Sequence, residues 1–324
     1  MTSYDILEQR MGSVGNHLAE LARTWDTNRI PASLFDAQSW LVTGSGGSVG
    51  PGLMLVDALH ATGRRARYMP LSYFLETPRS RDEVLVVFSQ GLSPNAHIAL
   101  SRSETFRHTV LFTSIGPDTV TLPPACHVVH LPPKDEESLL VRVIGPTVAT
   151  LAALLFVDTI SGRGHRPESG RTYSGAALRE ARMAAPPIVT AEGRIALVTF
   201  GVNPRRYYGL SHKLLETIGE QVPVWDVLGI AHGPFQHFCD APVTLIALTR
   251  GEPHHEDLRA RLAALLDQRT GQQVLPFPAA QPLDWFAHDA MIDRFILSVL
   301  RSSPRDLVNW PGKGADRSLY GIGR

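Results

Sequence analysis

Cysteine is almost absent. Cys126 and Cys239 are the only two in 324 residues and lie far apart, which argues against both a disulfide framework and a zinc site. Neither stands near an obvious base, so both read as buried small residues. Net charge is absent as well: 31 basic and 31 acidic residues cancel. Without a basic field, nucleic acid and anionic membrane surfaces fall out as expected partners, while a small anionic ligand needs only a local site. No apolar run approaches the roughly 20 residues of a membrane span. The start, Met1-Thr2-Ser3-Tyr4-Asp5, lacks the basic and apolar regions of a secretion signal, so a cytoplasmic chain is expected. What is present, 44% hydrophobic and 19% charged residues, describes a globular protein with core enough for one large or two medium domains.

Residues 4 to 26 place Ile6, Met11, Val14, Leu18 and Leu21 at helical spacing, predicting an opening amphipathic helix. Trp40-Leu41-Val42-Thr43 is a short apolar strand that runs into the turn Gly44-Ser45-Gly46-Gly47-Ser48, and a helix is predicted from Leu53 to Thr62. A strand, a glycine and serine turn and a helix together offer N–H groups and hydroxyls to an anion at the helix's positive end. A dinucleotide fold fits poorly. Gly50 follows Gly46 by four residues where three is usual, and no acidic residue closes a strand about 20 residues on. A second polar turn, Ser89-Gln90-Gly91-Leu92-Ser93-Pro94, follows the strand Glu83 to Phe88 and leads into a predicted helix at 98 to 104. In a parallel sheet both turns lie at the carboxyl edge, where ligands bind.

Strands at 108 to 113 and 126 to 131 and a helix predicted over 136 to 159 complete the first half. The Gly- and Ser-rich stretch 161 to 174 has linker composition. Strands at 194 to 200, 223 to 227, 242 to 248 and 273 to 277, with helices at 207 to 220, 255 to 268 and 284 to 301, then repeat the rhythm. The alternation predicts an α/β fold of two subdomains, each a parallel sheet flanked by helices. The expected division is an N-terminal helical segment 1–35, a first subdomain 36–165, a second 175–303 and a tail 304–324.

On the helix at 207 to 220, Lys213 and Glu216 are three residues apart and can share a face, placing a carboxylate base beside a cation. His232 precedes Gly233-Pro234 on a loop, where side chains are free to meet a ligand. His254-His255 reads as an exposed helix start, and Arg205-Arg206 as a solvated pair. No metal site is expected.

The order of these pieces, from Gly44 to Ser48, Phe88 to Ser93, Lys213 to Glu216, Ala231 to Pro234 and Pro304 to Leu307, resembles tandem sugar isomerase (SIS) domain proteins. Within them it resembles the isomerase part of glucosamine-6-phosphate synthase and the ketoamine-phosphate deglycases. The resemblance spans residues 36 to 310 and implies two SIS-like subdomains. It also implies that Ser48, Ser89 and Gln90, with Ser45, Gly46, Gly47 and Ser93 close by, bind a sugar phosphate. By the same resemblance Glu216 moves a proton between C1 and C2, Lys213 lies beside it, and His232 opens the sugar ring from a partner subunit of a homodimer. No cofactor is implied, and an enediolate held by hydrogen-bond donors needs no metal. Two departures stand out. Gly91, Leu92 and Pro94 replace a serine, a glycine and a threonine of the family's phosphate turn, and Asn309 occupies the place of its C-terminal lysine. Lys313, in a tail expected to cover the pocket, is the candidate substitute. No glutaminase domain precedes the first subdomain, which leaves isomerisation, removal of an amine from a ketoamine, or a non-catalytic sugar-phosphate sensor.

Overall fold

The computed structural model describes residues 2–76, 80–116, 122–123, 126–132, 136, 138–162, 172–183, 193–239, 241–266, 272–279 and 281–320. Most of the expected linker, 163–171, lies outside them. The chain forms two compact units, Asn16–Gly175 with Val308–Arg324, and Met1–Gly15 with Ala176–Leu307. The opening helix α1 (Ser3–Thr24) is therefore divided between them.

The first unit holds β1 (Ser39–Gly44), α2 (Val49–Ala61), β2 (Arg65–Tyr68), β3 (Ser80–Phe88), α3 (Ala96–Leu100), β4 (Phe106–Thr113), β5 (Cys126–His130) and α4 (Ile144–Ile160). Its five strands run in the order β2-β1-β3-β4-β5, and every pairing is parallel. A parallel sheet is covered on both faces, which is why β1, β3 and β4 read as unbroken apolar runs and are buried along their carboxyl halves. Aromatic rings tie this core together. Phe88 stacks on Phe112 at 4.4 Å between centroids, Phe112 meets Phe156 of α4 edge-on at 5.6 Å, and Trp40 meets the same ring at 5.9 Å. Contacts of this geometry add roughly 0.5–1.5 kcal/mol each to the area they bury.

The second unit contains α5 (Gly175–Met183), β6 (Arg194–Thr199), α6 (Tyr208–Ile218), β7 (Val224–Asp226), α7 (Pro234–Phe238), β8 (Val243–Thr249), α8 (Pro253–Leu266), β9 (Gln272–Pro278) and α9 (Asp284–Ser302). Its four strands are again all parallel, in the order β7-β6-β8-β9. Two separate parallel sheets flanked by helices were expected, and two are found.

Four helix starts differ from expectation by two residues or more, α3 among them at Ala96, and proline accounts for the other three. Proline lacks an N–H and is tolerated only in a helix's first turn. Helix α4 therefore begins at Ile144, with Pro146 in its first turn, and not at Glu136. For the same reason α2 begins at Val49, ahead of Pro51, and α8 begins at Pro253 itself.

Candidate functional site

Strand order reverses between β1 and β3, so the turns that follow them meet at the switch point of the first sheet's carboxyl edge. After β1, Gly46 takes φ +55°, a left-handed conformation that glycine adopts without strain. Ser45 and Gly46 are exposed, and Gly47 and Ser48 half-buried. Ser45 heads the short 3-10 turn and Ser48 the helix α2, yet neither hydroxyl caps its helix. Glycine at 47 allows a close approach to α4, since a Cβ there would stand 3.0 Å from Pro146 Cγ.

The turn after β3 is more committed. Ser89 is buried, and its Oγ accepts the Ser93 N–H at 3.0 Å, while Leu92 N–H goes to Ser89 O at 3.3 Å. Pro94 has no N–H to offer. Leu92 sits at φ +46°, a left-handed conformation that favours glycine, and its side chain is buried in the apolar cluster that includes Leu71, Phe74 and Leu100. Two backbone N–H groups of the turn, those of Leu92 and Ser93, are therefore spent within it. Gln90 lies against Gly145, where any Cβ would collide with its amide. Its Nε2 reaches Glu136 Oε2 at 3.4 Å.

Glu136 was expected to open a helix. It is instead a buried carboxylate outside one, accepting the N–H groups of Val143 (3.0 Å), Ile144 (2.8 Å) and Gly145 (2.6 Å). It satisfies the unpaired donors of the first turn of α4 and complements the positive end of the helix. Ser45 to Ser48, Gln90, Glu136 and the start of α4 are thereby brought into one neighbourhood.

In the second unit, α6 does not place its Lys213 and Glu216 together. Lys213 is buried, its Nζ bonded to Asp289 and, at 2.8 Å, to Asp293 of α9. The same carboxylates receive Arg182 of α5, at 2.5 Å each. Burial alone would favour a neutral amine, but the attraction of Asp289 and Asp293 outweighs it and holds the Lys213 pKa above its ordinary value. The ion pairs make a closed four-membered cluster of two cations and two anions. Glu216 faces elsewhere. Its Oε1 lies 3.3 Å from Nε2 of His212, one turn back on α6. That contact, set against burial, raises the His212 pKa. His212 was not singled out in the sequence, although His212 and Glu216 at i and i+4 on a predicted helix were a readable signal. His232 is exposed at the end of a 3-10 turn, Gly229–Ala231, just ahead of α7.

Two further expectations change. Arg205 is exposed, but Arg206 is not solvated: its Nη2 lies 3.1 Å from Asp284, a buried carboxylate that Arg250 Nε also approaches, at 2.9 Å. His255 does not belong to an exposed helix start either. It is buried beside Phe200, its ring fitting over Gly201, where a Cβ would stand 2.7 Å from Nε2. Among the described residues no group of three or more His, Cys, Asp or Glu could hold a metal ion.

The tail forms only a short 3-10 turn, Arg317–Leu319. Asn95 Nδ2, at the head of α3, donates to Leu319 O at 3.1 Å, so the tail meets the first unit just beyond the Ser89 to Pro94 turn. The side chains of Leu319 and Tyr320 are largely exposed. Lys313 donates to Val308 O at 2.7 Å and stands 4.7 Å over the Trp310 ring, both within the tail.

No protein-family model matches the chain, and no curated protein matches it by sequence. Solved structures match it by fold. Glucosamine-6-phosphate deaminase from Thermotoga maritima superposes with a TM-score of 0.71 at 14% identity, over 94% of this chain and 97% of that one. The C-terminal domain of glucosamine-fructose-6-phosphate aminotransferase from Francisella tularensis gives 0.68 at 12%, over 92% and 96%. Tagatose-6-phosphate ketose/aldose isomerase from Escherichia coli gives 0.66 at 12%, over 93% and 93%. At such identities the fold alone is shared, and it is shared along nearly the whole of each chain. The expected α/β fold, two parallel sheets flanked by helices, is the fold that this protein shares with these structural neighbours.

Proposed function

We propose that the protein is a sugar-phosphate enzyme that moves a proton at C2 of an open-chain amino- or keto-sugar phosphate, as an aldose–ketose isomerase or a ketoamine-phosphate deglycase. The observation that carries this reading is Glu216. It is a half-buried carboxylate held on α6, in a fold shared almost end to end with a phosphosugar deaminase and a ketose/aldose isomerase. In this reading Glu216 carries a proton between C1 and C2: from an aldose it takes the C2 proton, the C2–H electron pair moves into the enediolate and the proton returns at C1, while from a ketoamine it takes the C1 proton and returns it at C2, and water then releases the amine from the resulting imine. The hydroxyls of Ser45 and Ser48, unspent on capping, receive the phosphate with Gln90. Lys213 is assigned to structure because its amine is consumed by Asp289 and Asp293. The exposed His232 is assigned to a neighbouring subunit's site in a homodimer, and the tail to a cover anchored at Asn95.

The test is solvent deuterium exchange at C2 of a panel of aldose and amino-sugar phosphates and at C1 of ketose and ketoamine phosphates. Wild type should wash label in, and Glu216→Gln should not. Mixing Glu216→Gln with His232→Ala chains should restore exchange in hybrid dimers; verified hybrids without activity would remove the shared site. A second reading, a non-catalytic sugar-phosphate sensor, is favoured by the replaced turn residues Gly91, Leu92 and Pro94 and by the engagement of Lys313 within the tail. It requires binding without exchange.

A further inference from the structure

The cation expected beside Glu216 is not there. Lys213 lies on another face of α6, and its amine has two carboxylate partners already. The group that does approach Glu216 is the imidazole of His212, with Nε2 3.3 Å from Oε1 and the two side chains only 26% and 22% exposed.

The elements packed most closely against α6 are α9 and the 3-10 turn Pro204–Tyr207, and Arg305 donates to the carbonyl of Thr217 on its last turn at 3.3 Å. Their ionisable groups are engaged elsewhere or point outward. Asp289 and Asp293 meet Lys213 and Arg182, and Asp284 meets Arg206 and Arg250. His288 accepts from or donates to Tyr207 at 2.8 Å, Arg294 donates to the carbonyls of Arg182 and Met183, Arg301 reaches Tyr4 and Glu8, and Arg205 is exposed. Glu216 is thus the charged group that meets the imidazole among the described residues, and its Oε2 has no contact there.

We propose that His212 is the positioning residue for Glu216, doing through an imidazole N–H what Lys213 was expected to do through an ammonium. Its N–H holds Oε1 and fixes the plane of the carboxylate, leaving Oε2 to take the substrate proton. The C2–H bond breaks, the proton goes to Oε2, and the electron pair is delocalised into the enediolate. His212 keeps its own proton throughout. The proposal rests on the reading of Glu216 as the base. The raised His212 pKa agrees with the contact.

Two measurements on the full chain separate the proposal from that reading. In the unliganded protein, NMR of the imidazole nitrogens should show His212 titrating above the ordinary histidine value of about 6.5 and returning toward it in Glu216→Gln. An unchanged midpoint overturns the proposal whatever the substrate. For C2 exchange of glucosamine 6-phosphate and glucose 6-phosphate, His212→Leu should lower kcat about tenfold or more with KM nearly unchanged, the scale of one hydrogen bond to a charged group. His212→Gln, which keeps an N–H donor, should recover most of that loss, a recovery that mere side-chain packing would not produce. If Glu216→Gln stops exchange while His212→Leu, folded by circular dichroism, does not slow it, the positioning role is wrong and the base reading survives. If wild type exchanges neither sugar, or Glu216→Gln exchanges normally, the base reading is weakened, and the NMR arm still decides the pairing.

Discussion

The two sheets repeat one strand order, β2-β1-β3-β4 in the first and β7-β6-β8-β9 in the second, yet their carboxyl edges carry different chemistry. At the first switch point, the turn after β1 presents Ser45 and Ser48 with hydroxyls unspent on capping. At the second, the turn after β6 is Asn203-Pro204-Arg205-Arg206 and the residue after β8 is Arg250, and Arg206 and Arg250 close on the buried Asp284. Topology decides where a parallel sheet can receive a ligand, but the turn residues decide whether anything is left to receive it with. In the first unit polar groups remain available at the edge. In the second the charges are paired inside the fold, and the group with an uncommitted oxygen, Glu216, lies on a helix and not on a strand-end turn.

The largest effect expected from this division is on turnover. Glu216→Gln should lower C2 exchange by about 10²–10⁴-fold, the range for loss of a general base, with KM little changed. Ser48→Ala should do the reverse, raising KM about tenfold for a phosphorylated sugar with kcat nearly intact. Equal effects of the two changes on kcat would mean that binding and chemistry are not separated in this way.

Next in size is the charge cluster of the second unit. Removing one partner from a closed buried cluster leaves an uncompensated charge, so Lys213→Ala should destabilise the protein by about 3–5 kcal/mol in urea unfolding. Ser48→Ala, at the partly exposed edge of the first unit, should change stability by no more than about 0.5 kcal/mol. A Lys213→Ala protein of normal stability and lost turnover would return the lysine to the catalytic site.

That lysine also marks the limit of what the sequence reveals. The buried strands were legible because a strand covered on both faces must be a continuous apolar run, and the two serine-bearing turns were legible because glycines punctuate them. The fate of Lys213 was not, because the residues that claim it, Asp289 and Asp293, are 76 and 80 positions away. Periodicity places a lysine on a helix but does not say which distant helix packs there. The starts of α2 and α4 were missed for a local reason that could have been read, the prolines at 51 and 146. His212 was readable too, at i−4 from Glu216.

A smaller effect should appear in acid. His288 has no exposure, its Nδ1 meets the Tyr207 hydroxyl, and its Nε2 meets the carbonyls of Thr249 and Phe277. Burial pushes its pKa down to about 4. The unfolded chain, with histidine near its ordinary value of about 6.5, therefore binds this proton at a pH where the folded chain does not. Stability contributed by neutral His288 is complete above about pH 6.5 and is lost as pH falls toward 4, on the order of 3 kcal/mol over the window. Urea midpoints across that range should show the loss in wild type. A His288→Gln variant, less stable at neutral pH, should show a flatter profile; an equal slope would place the acid sensitivity elsewhere.

The smallest effect tests the first edge, at Leu92. A left-handed conformation costs an L-residue roughly 1–2 kcal/mol, and glycine nothing. Burial of the side chain among Leu71, Phe74 and Leu100 offsets that strain, since a buried leucine contributes about 2–5 kcal/mol relative to alanine. Both Leu92→Ala and Leu92→Gly lose the packing, so both should be less stable than wild type. They differ in the backbone. Alanine keeps the strain at φ +46°, whereas glycine removes it but gives up about 0.5–1 kcal/mol of chain entropy. Ordinarily glycine is the worse of the two; here Leu92→Gly should be the more stable, by about 0.5–1 kcal/mol in paired urea unfolding. If Leu92→Ala proves the more stable, the turn does not hold the glycine-like conformation.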